Sequence, residues 1–228
     1  NGAVSIAFGA TLNTGALANF TVSSLSGAGT INAGGGVFDV DQTADTTWAG
    51  NLTGAGRLRK TGTGTLTLTG TNTYTAATFF NAGTIVFNQL ANFGPSGNLR
   101  FNGGTIKWAA GTSTDISSRV VSLETGASTF DTNGNNVTLA SAIGNNGAGA
   151  LVKTGAGTLS LAGTNTYTGG TTVNAGVVSF SSLASFGTGS LTLNGGGLQW
   201  AAGTTTDISS RLTALNFANT VFDTNGNS

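Results

Sequence analysis

Several residue types that usually carry chemistry are missing from this chain of 228 residues, which has no cysteine, methionine or histidine. Without cysteine there is no disulfide, thiol nucleophile or thiolate metal site, and without histidine the commonest general base and metal ligand is missing. Charged residues make up only 7%, eight basic against eight acidic, so the basic stripe of a nucleic-acid-binding protein is missing. Apolar runs reach three to five residues, too short for a transmembrane helix in this segment. We therefore expect no cofactor and no nucleic-acid partner.

Glycine, threonine, asparagine and serine supply the polarity instead, and 38 glycines interrupt the chain every few residues. Between them, short stretches alternate polar and apolar residues, as in TLTLT at 65–69 and TLSL at 158–161. Alternation with a period of two places the apolar side chains on one face of a β-strand. No window has the apolar spacing of a helix, so the pattern predicts an all-β fold.

A long internal repeat is the strongest feature of the sequence. GAGRLRKTGTGTLTLTGTNTYT at 54–75 returns as GAGALVKTGAGTLSLAGTNTYT at 147–168, and WAAGTSTDISSR at 108–119 returns as WAAGTTTDISSR at 200–211. The pair Phe-Asp recurs at 38–39, 130–131 and 222–223, each time 92 positions apart. Repetition on this scale is typical of chains that stack equivalent units and bury each apolar face on the next. We divide the chain into a divergent unit at 1–37, repeats at about 38–129 and 130–221, and a partial third at 222–228.

Two architectures compete for these strands. Asn-Gly pairs such as 133–134 would close the hairpins of an antiparallel sandwich or barrel. Alternatively, Gly and Asn occupy the positive-φ corners of a parallel β-helix with coils of about 20–25 residues. We favour the β-helix: one elongated rod of about ten coils within a longer protein, four coils to each repeat. It predicts that Phe38, Phe130 and Phe222 lie in line along a common axis.

The repeated phrases also carry a family resemblance. KTGTGTLTLTGTNTYT with NAGTI at 81–85, and KTGAGTLSLAGTNTYTGGTTVNAGVV at 153–178, resemble the autotransporter-associated β-strand repeat of Gram-negative passenger domains. The first copy departs from the pattern at residues 76–80, AATFF, where the second has GGTTV. The resemblance implies a right-handed parallel β-helix that is exported and displayed on the cell surface. It brings no catalytic residues.

Most of the eight carboxylates recur with the repeat, which favours a structural role. Asp39, Asp131 and Asp223 fit Asx-turns at corners, where the side chain accepts backbone N–H groups. Within DISSR we expect a one-turn corner capped by aspartate, with an ion pair to the arginine four residues later. The alternative is that aspartate and arginine bind a sugar together. The two pairs are Asp115 with Arg119 and Asp207 with Arg211.

One acidic cluster does not repeat. Alternation places Asp39 and Asp41 on one face of a strand, and with Asp45 they are weak candidates for a Ca²⁺ site. A solvated strand edge is the simpler interpretation. The same cluster, with the basic residues at 57, 59 and 60 (Arg57, Arg59 and Lys60), is the one local group that could serve a polysaccharide lyase or hydrolase.

Four aromatic residues could stack on sugars. Trp108 and Trp200 each lie two residues from an apolar neighbour, which places them on the core face of a strand. Tyr74 and Tyr167, in the phrase NTYT, are expected to cap coils with their hydroxyl groups in water.

These observations predict a non-enzymatic, extracellular β-helical passenger on a bacterial surface, acting in adhesion, autoaggregation or as a stalk. Its expected partners are a host or matrix surface, or further copies that associate laterally or end to end. The alternatives are a subunit of an extracellular filament and a polysaccharide-cleaving enzyme on the same fold.

Overall fold

Short parallel strands make up nearly all the regular structure in the computed structural model of the chain, which describes residues 1–15, 17–216 and 220–227. The remaining regular elements in these ranges are two 3₁₀ turns, Leu90–Phe93 and Leu183–Phe186. No helix in the described part of the chain is long and apolar enough to cross a membrane. Contacts divide the chain into two compact units, residues 1–100 with 104–109, and residues 101–103 with those from 110 onward.

The first unit winds through three sheets. Their orders are β1-β4-β7-β10-β12-β14, β3-β6-β9-β11-β13 and β2-β5-β8, and neighbouring strands run parallel, as in β1 with β4, β10 with β12, β2 with β5 and β3 with β6. The last residue of β13 belongs to the second unit. The strands are β1 Ala3–Ile6, β2 Thr11–Asn13, β3 Asn19–Val22, β4 Ser24–Gly27, β5 Thr30–Asn32, β6 Val37–Asp41, β7 Thr46–Trp48, β8 Asn51–Thr53, β9 Arg57–Thr61, β10 Thr65–Leu68, β11 Thr78–Phe80, β12 Thr84–Phe87, β13 Leu99–Phe101 and β14 Thr105–Trp108.

The second unit has the same kind of winding. Two five-stranded parallel sheets have the orders β16-β18-β20-β22-β24 and β17-β19-β21-β23-β25. The strands are β15 Val121–Leu123, β16 Ala127–Asp131, β17 Val137–Leu139, β18 Ala150–Thr154, β19 Thr158–Leu161, β20 Thr171–Val173, β21 Val177–Phe180, β22 Leu191–Asn194, β23 Gly197–Trp200, β24 Leu212–Asn216 and β25 Phe222–Asp223.

Each strand pairs with the strand one turn later, so both units are parallel β-solenoids and the predicted fold class is confirmed. The turn length ranges from 18 residues, between Asn19 and Val37, to 24, between Leu198 and Phe222. With six strands in the longest sheet of one unit and five in that of the other, the chain makes about eleven turns, where about ten were predicted. The antiparallel alternative is wrong. The Asn-Gly pair at 133–134 lies at a corner with φ of 51° and 84° and does not close a hairpin.

The alternation of the sequence becomes the alternation of the solenoid wall. Leu66 and Leu68 of β10 point inward and are buried, while their threonine neighbours are half-exposed. Aromatic rings pack edge to face between successive turns, as for Phe87 and Trp108 with centroids 5.3 Å apart. Burying one such side chain stabilises the fold by about 1.5–3 kcal/mol, so the interior supplies the main driving force.

One expectation about the repeat is wrong. Phe130 lies on β16 and is fully buried, whereas Phe222, 92 residues later, lies on β25 in the other sheet and is 44% exposed. Four turns after β16 the chain reaches β24 of the same sheet. The rest of the 92-residue repeat takes the chain on to β25, which belongs to the other sheet. The sequence repeat is therefore longer than four whole turns, and its members do not stack in one line. The assignment of the whole chain to a single right-handed helical segment stays a prediction.

Candidate functional site

A lysine inside the solenoid wall organises the second unit. Lys153 is fully buried, and its Nζ donates to the carbonyl oxygens of Thr154, Gly155 and Ala175 at 2.7, 2.6 and 3.1 Å. These three acceptors match the three N–H groups of an ammonium. Burial lowers the pKa of Lys153 to about 8, while the nearby Asp131 carboxylate opposes the shift. The lysine ties one turn to the next through the backbone.

The first unit has the same arrangement around Lys60. Its buried Nζ donates to the carbonyls of Thr61 and Gly62, and burial lowers the pKa of Lys60 to about 8. Gly83, with φ of 62°, leaves room for this amine, since a Cβ there would lie 2.8 Å from Nζ. Gly176 stands in the same relation to the lysine of the second unit, at 2.7 Å. Lys60 is thus part of the framework, and its burial keeps it from the substrate that it would contact in the polysaccharide-cleaving alternative.

A buried asparagine links three successive turns in each unit. Asn165 accepts a hydrogen bond from the backbone N–H of Ile143 at 2.8 Å and donates to the carbonyl of Ser185 at 2.5 Å. Asn72 makes the equivalent pair of bonds in the first unit, at 2.7 and 2.5 Å. Both side chains satisfy backbone groups that have no strand partner at this corner, which explains the Thr-Asn-Thr-Tyr phrase.

The tyrosines of that phrase are inside the solenoid. Tyr74 and Tyr167 are fully buried, and their hydroxyl groups hydrogen-bond the Oγ1 atoms of Thr78 and Thr171 at 2.5 and 2.7 Å. Burial raises the pKa of Tyr167. The expectation of hydroxyl groups in water is therefore wrong. Each tyrosine hydroxyl forms its hydrogen bond with the threonine four residues later and not with water.

The repeated tryptophans differ in exposure. Trp108 is fully buried against Phe87. Trp200 is half-buried, packs at a tilt against Phe180 with ring centroids 5.0 Å apart, and donates from Nε1 to the carbonyl of Thr206 at 2.9 Å. A sugar therefore has no access to the ring of Trp108.

Repeated aspartates cap turns. Asp131 accepts the backbone N–H of Asn133 at 2.8 Å, and Asp223 accepts that of Asn225 at the same distance. A hydrogen bond from the Gln199 side chain, together with the one from Asn225, lowers the pKa of Asp223. Asp39 has other partners, described below, so the three equivalent positions do not share one role.

The DISSR corners are capped by aspartate, but one of the predicted ion pairs does not form. Asp115 and Asp207 accept the backbone N–H groups of Ser117 and Ser209 at 2.7 and 2.8 Å. Arg211 does not reach Asp207. Its guanidinium donates to backbone carbonyls of the preceding turn, from Nε at 2.6 Å, because that corner presents several carbonyl oxygens within its reach.

The acidic cluster proposed for Ca²⁺ does not converge. One Asp39 oxygen pairs with Arg59 at 2.8 Å, and Asp45 accepts the backbone N–H of Thr65 at 2.7 Å, which lowers the pKa of Asp45. Asp41, at the end of β6, is exposed. No group of three potential metal ligands of the Asp, Glu, His or Cys type lies together within the described ranges.

An open groove of about 490 Å³ lies in the second unit beside Arg119. Its lining consists mainly of serine, threonine and asparagine side chains with the exposed Val120, and it contains no carboxylate.

The most distinctive outer surface lies on the first unit, and we call it the arginine row: Asp39, Arg57, Arg59, Phe79 and Arg100. The register aligns Asp39 of β6 with Arg59 of β9, and Arg59 with Phe79 of β11. The guanidinium groups of Arg57 and Arg100 lie 5.7 and 4.9 Å from the centre of the Phe79 ring. The hydrogen bond to the Asp39 carboxylate raises the pKa of Arg59, so that the arginine stays charged. Three of the eight basic residues of the chain share this face.

The second unit has equivalent strands, but uncharged residues stand at the positions of the arginine row. Counting along the repeat, Arg57, Arg59, Phe79 and Arg100 correspond to Ala150, Val152, Thr172 and Thr192, which lie on β18, β20 and β22. In each unit the inward lysine, asparagine and tyrosine are the same. The outward row is therefore a feature that the fold does not need.

Sequence reasoning named Arg57 and Arg59 but missed Phe79 and Arg100. The available signal was the departure of the first copy from the second at residues 76–80. Only the strand register brings Phe79 next to an arginine 20 residues earlier.

Comparison with known proteins finds one repeat family in both units of the chain. Residues 58–87 and 151–180 match the passenger-associated-transport-repeat family. Each matched segment contains the lysine, asparagine, tyrosine and glycine described above. The resemblance to autotransporter passengers is therefore confirmed, and the chain carries two passenger repeats.

A curated relative is the adhesin BmaC autotransporter of Brucella suis biovar 1 (strain 1330). It is 34% identical over 188 residues, which cover 77% of this chain and 5% of the relative. The chain thus spans a small part of that protein. No solved structure matches the chain significantly.

Proposed function

We propose that this chain is a segment of a secreted passenger that is displayed on a bacterial surface and acts there without catalysis, by adhesion. The observation that carries the proposal is the contrast between the two repeats. They share a buried framework that stacks turns and differ on the outside, as expected of a scaffold that presents surfaces. The similarity to an autotransporter adhesin supports the same role.

The distribution of carboxylates weighs against the enzymatic alternative. A glycoside hydrolase needs two carboxyl groups facing one substrate. Here five aspartates each accept a backbone N–H, Asp39 pairs with an arginine, and the groove beside Arg119 is lined without acid groups. The five are Asp45, Asp115, Asp131, Asp207 and Asp223. Capping carboxylates of this kind hold corners and are poorly placed to transfer protons.

Self-association is the second mode of action that we propose. Asparagines on the outer wall of the second unit form an amide ladder, with Asn194 donating to Asn174 at 3.2 Å and Asn216 donating to Asn194 at 3.1 Å. An uncharged ladder of amides and hydroxyl groups can dock on a like surface without charge repulsion. The same contact would serve autoaggregation and a filament.

The test is to display the chain on a non-adherent bacterium, fused to an export barrel, beside cells that display the barrel alone. We expect greater attachment to host cells or matrix, or faster settling of the culture through aggregation. If neither exceeds the barrel control at equal surface amounts, the proposed function is wrong. Release of oligosaccharides by the purified chain would instead support the enzymatic alternative.

A further inference from the structure

We propose that the arginine row binds an acidic polysaccharide, which gives the adhesive function proposed above a ligand class. The row has three arginines and one aromatic ring on adjacent strands, with Asp39 as its one acidic member and the exposed Asp41 two residues further along β6. In a chain with a net charge of zero and only 7% charged residues, this is a local excess of positive charge.

The geometry suits an extended polyanion. Neighbouring strands lie about 4.8 Å apart. Because β13 is two strands away from β9, the backbones at Arg100 and Arg59 are separated by about 9.6 Å across the sheet. A guanidinium presents a planar fork that fits carboxylate and sulfate groups. A linear polymer with regularly spaced acid groups can therefore contact successive arginines while lying flat on the sheet.

The arginines are also held in place before any ligand arrives. Arg57 and Arg100 stack on the Phe79 ring, and Arg59 is fixed by Asp39 at 2.8 Å. Fixing these long side chains in advance reduces the entropy lost on binding. Phe79 is half-buried, so its role is to position the charges.

The row favours a glycan over an acidic peptide. A peptide usually binds a sheet by pairing its backbone with an exposed strand edge. Here β6, β9 and β11 are paired on both sides within their sheet, so no backbone group is open to a peptide strand. Recognition must come from side chains alone, which is how charged groups on a glycan are bound.

The second repeat supplies the variants for a direct test. We exchange the row for its counterparts, Arg57→Ala, Arg59→Val, Phe79→Thr and Arg100→Thr. We add Asp39→Thr, because removal of Arg59 would leave a carboxylate with only 6% exposure without its ion-pair partner. The counterpart of Asp39 in the strand register is Thr129. Circular dichroism and thermal melting then verify that the exchanged chain is folded.

The probe is heparin, an acidic polysaccharide, with neutral dextran, polyglutamate and double-stranded DNA as comparisons. We expect the chain to bind heparin in a salt-sensitive way, and the five-residue exchange to weaken binding about tenfold or more. Arg100→Thr should weaken it about threefold, and the matched control Lys107→Gln, which installs the residue of the second repeat and also removes one charge, less than about twofold.

Several outcomes would overturn the proposal: no binding to heparin, an equal loss for Lys107→Gln and Arg100→Thr, or binding of polyglutamate or DNA as tight as that of heparin.

The reverse graft places the residues of the row on the second repeat and should strengthen binding. Its substitutions are Ala150→Arg, Val152→Arg, Thr172→Phe and Thr192→Arg. Attachment of cells that display the exchanged chain separates the two proposals. If cells with the exchanged chain attach as well as cells with the original chain, polysaccharide binding by the arginine row is refuted and the adhesive function is not. If neither chain gives attachment, the adhesive function is refuted.

Discussion

Raising the pH from 7.5 to 9.5 is expected to stabilise the fold because of the buried lysines. The folded-state pKa of Lys153 is about 8, against 10.5 for an ordinary lysine. Below pH 8 the folded and unfolded forms are both protonated, and the fold bears the full cost of burying the charge. Above pH 8 the unfolded chain binds more protons than the folded one, so stability increases with pH. The gain by pH 9.5 is about 2 kcal/mol for this lysine.

The upper limit of this pH window is set by a tyrosine with the opposite sign. Burial raises the pKa of Tyr167, so above pH 10 the folded chain binds more protons than the unfolded chain. Stability then falls as the pH rises. Measurements at or below pH 9.5 therefore report on the two buried lysines, Lys60 and Lys153, and not on the tyrosine.

The matched variant is Lys153→Met, which keeps a long unbranched side chain and removes the titrating group. At pH 7.5 the variant loses three hydrogen bonds, each contributing about 1 kcal/mol to stability. It also avoids the cost of burying the charged ammonium, which is about 3.4 kcal/mol. The two effects nearly cancel. The variant should therefore be close to wild type at pH 7.5 and about 2 kcal/mol less stable than wild type at pH 9.5. Lys107→Met, at a half-exposed lysine, is the control.

Urea unfolding at both pH values, followed by circular dichroism and tryptophan fluorescence, measures these differences. The reasoning is refuted if the gap between wild type and Lys153→Met stays constant between pH 7.5 and 9.5. That result would mean that the three carbonyl oxygens stabilise the ammonium enough to cancel the cost of burying it.

Three further substitutions test the framework by the free energy of unfolding. Gly176→Ala should destabilise by about 2 kcal/mol or more, because its Cβ would lie 2.4 Å from a carbonyl oxygen at φ of 66°; an unchanged urea midpoint would contradict this. Asn165→Ala leaves a buried N–H and a buried carbonyl unpaired, which costs about 2–5 kcal/mol; a loss under about 1 kcal/mol would mean that water replaces the amide. Tyr167→Phe removes one hydrogen bond to Thr171 and should cost about 0.5–1.5 kcal/mol, and a neutral effect would show that the hydroxyl pair contributes nothing.

The sequence by itself determined the class of fold and the kind of corner. Alternation such as TLTLT sets which side chains face inward, and a long repeat with glycine every few residues fits stacked, short strands. The corner at 133–134 followed from the tolerance of Asn and Gly for positive φ. These are local properties, readable from neighbours along the chain.

The tertiary structure decided what depends on contacts between turns. Turn length varies from 18 to 24 residues, so no fixed spacing in the sequence reveals which side chains become neighbours. The sequence therefore shows Lys153 only as a charged residue and does not predict its burial. The lysine can be buried because its ammonium group donates to a carbonyl oxygen of the next turn. Phe79 joins two arginines for the same reason. A side chain's environment in a solenoid is set across the wall, by residues about one turn away, and that register exists only once the chain has wound.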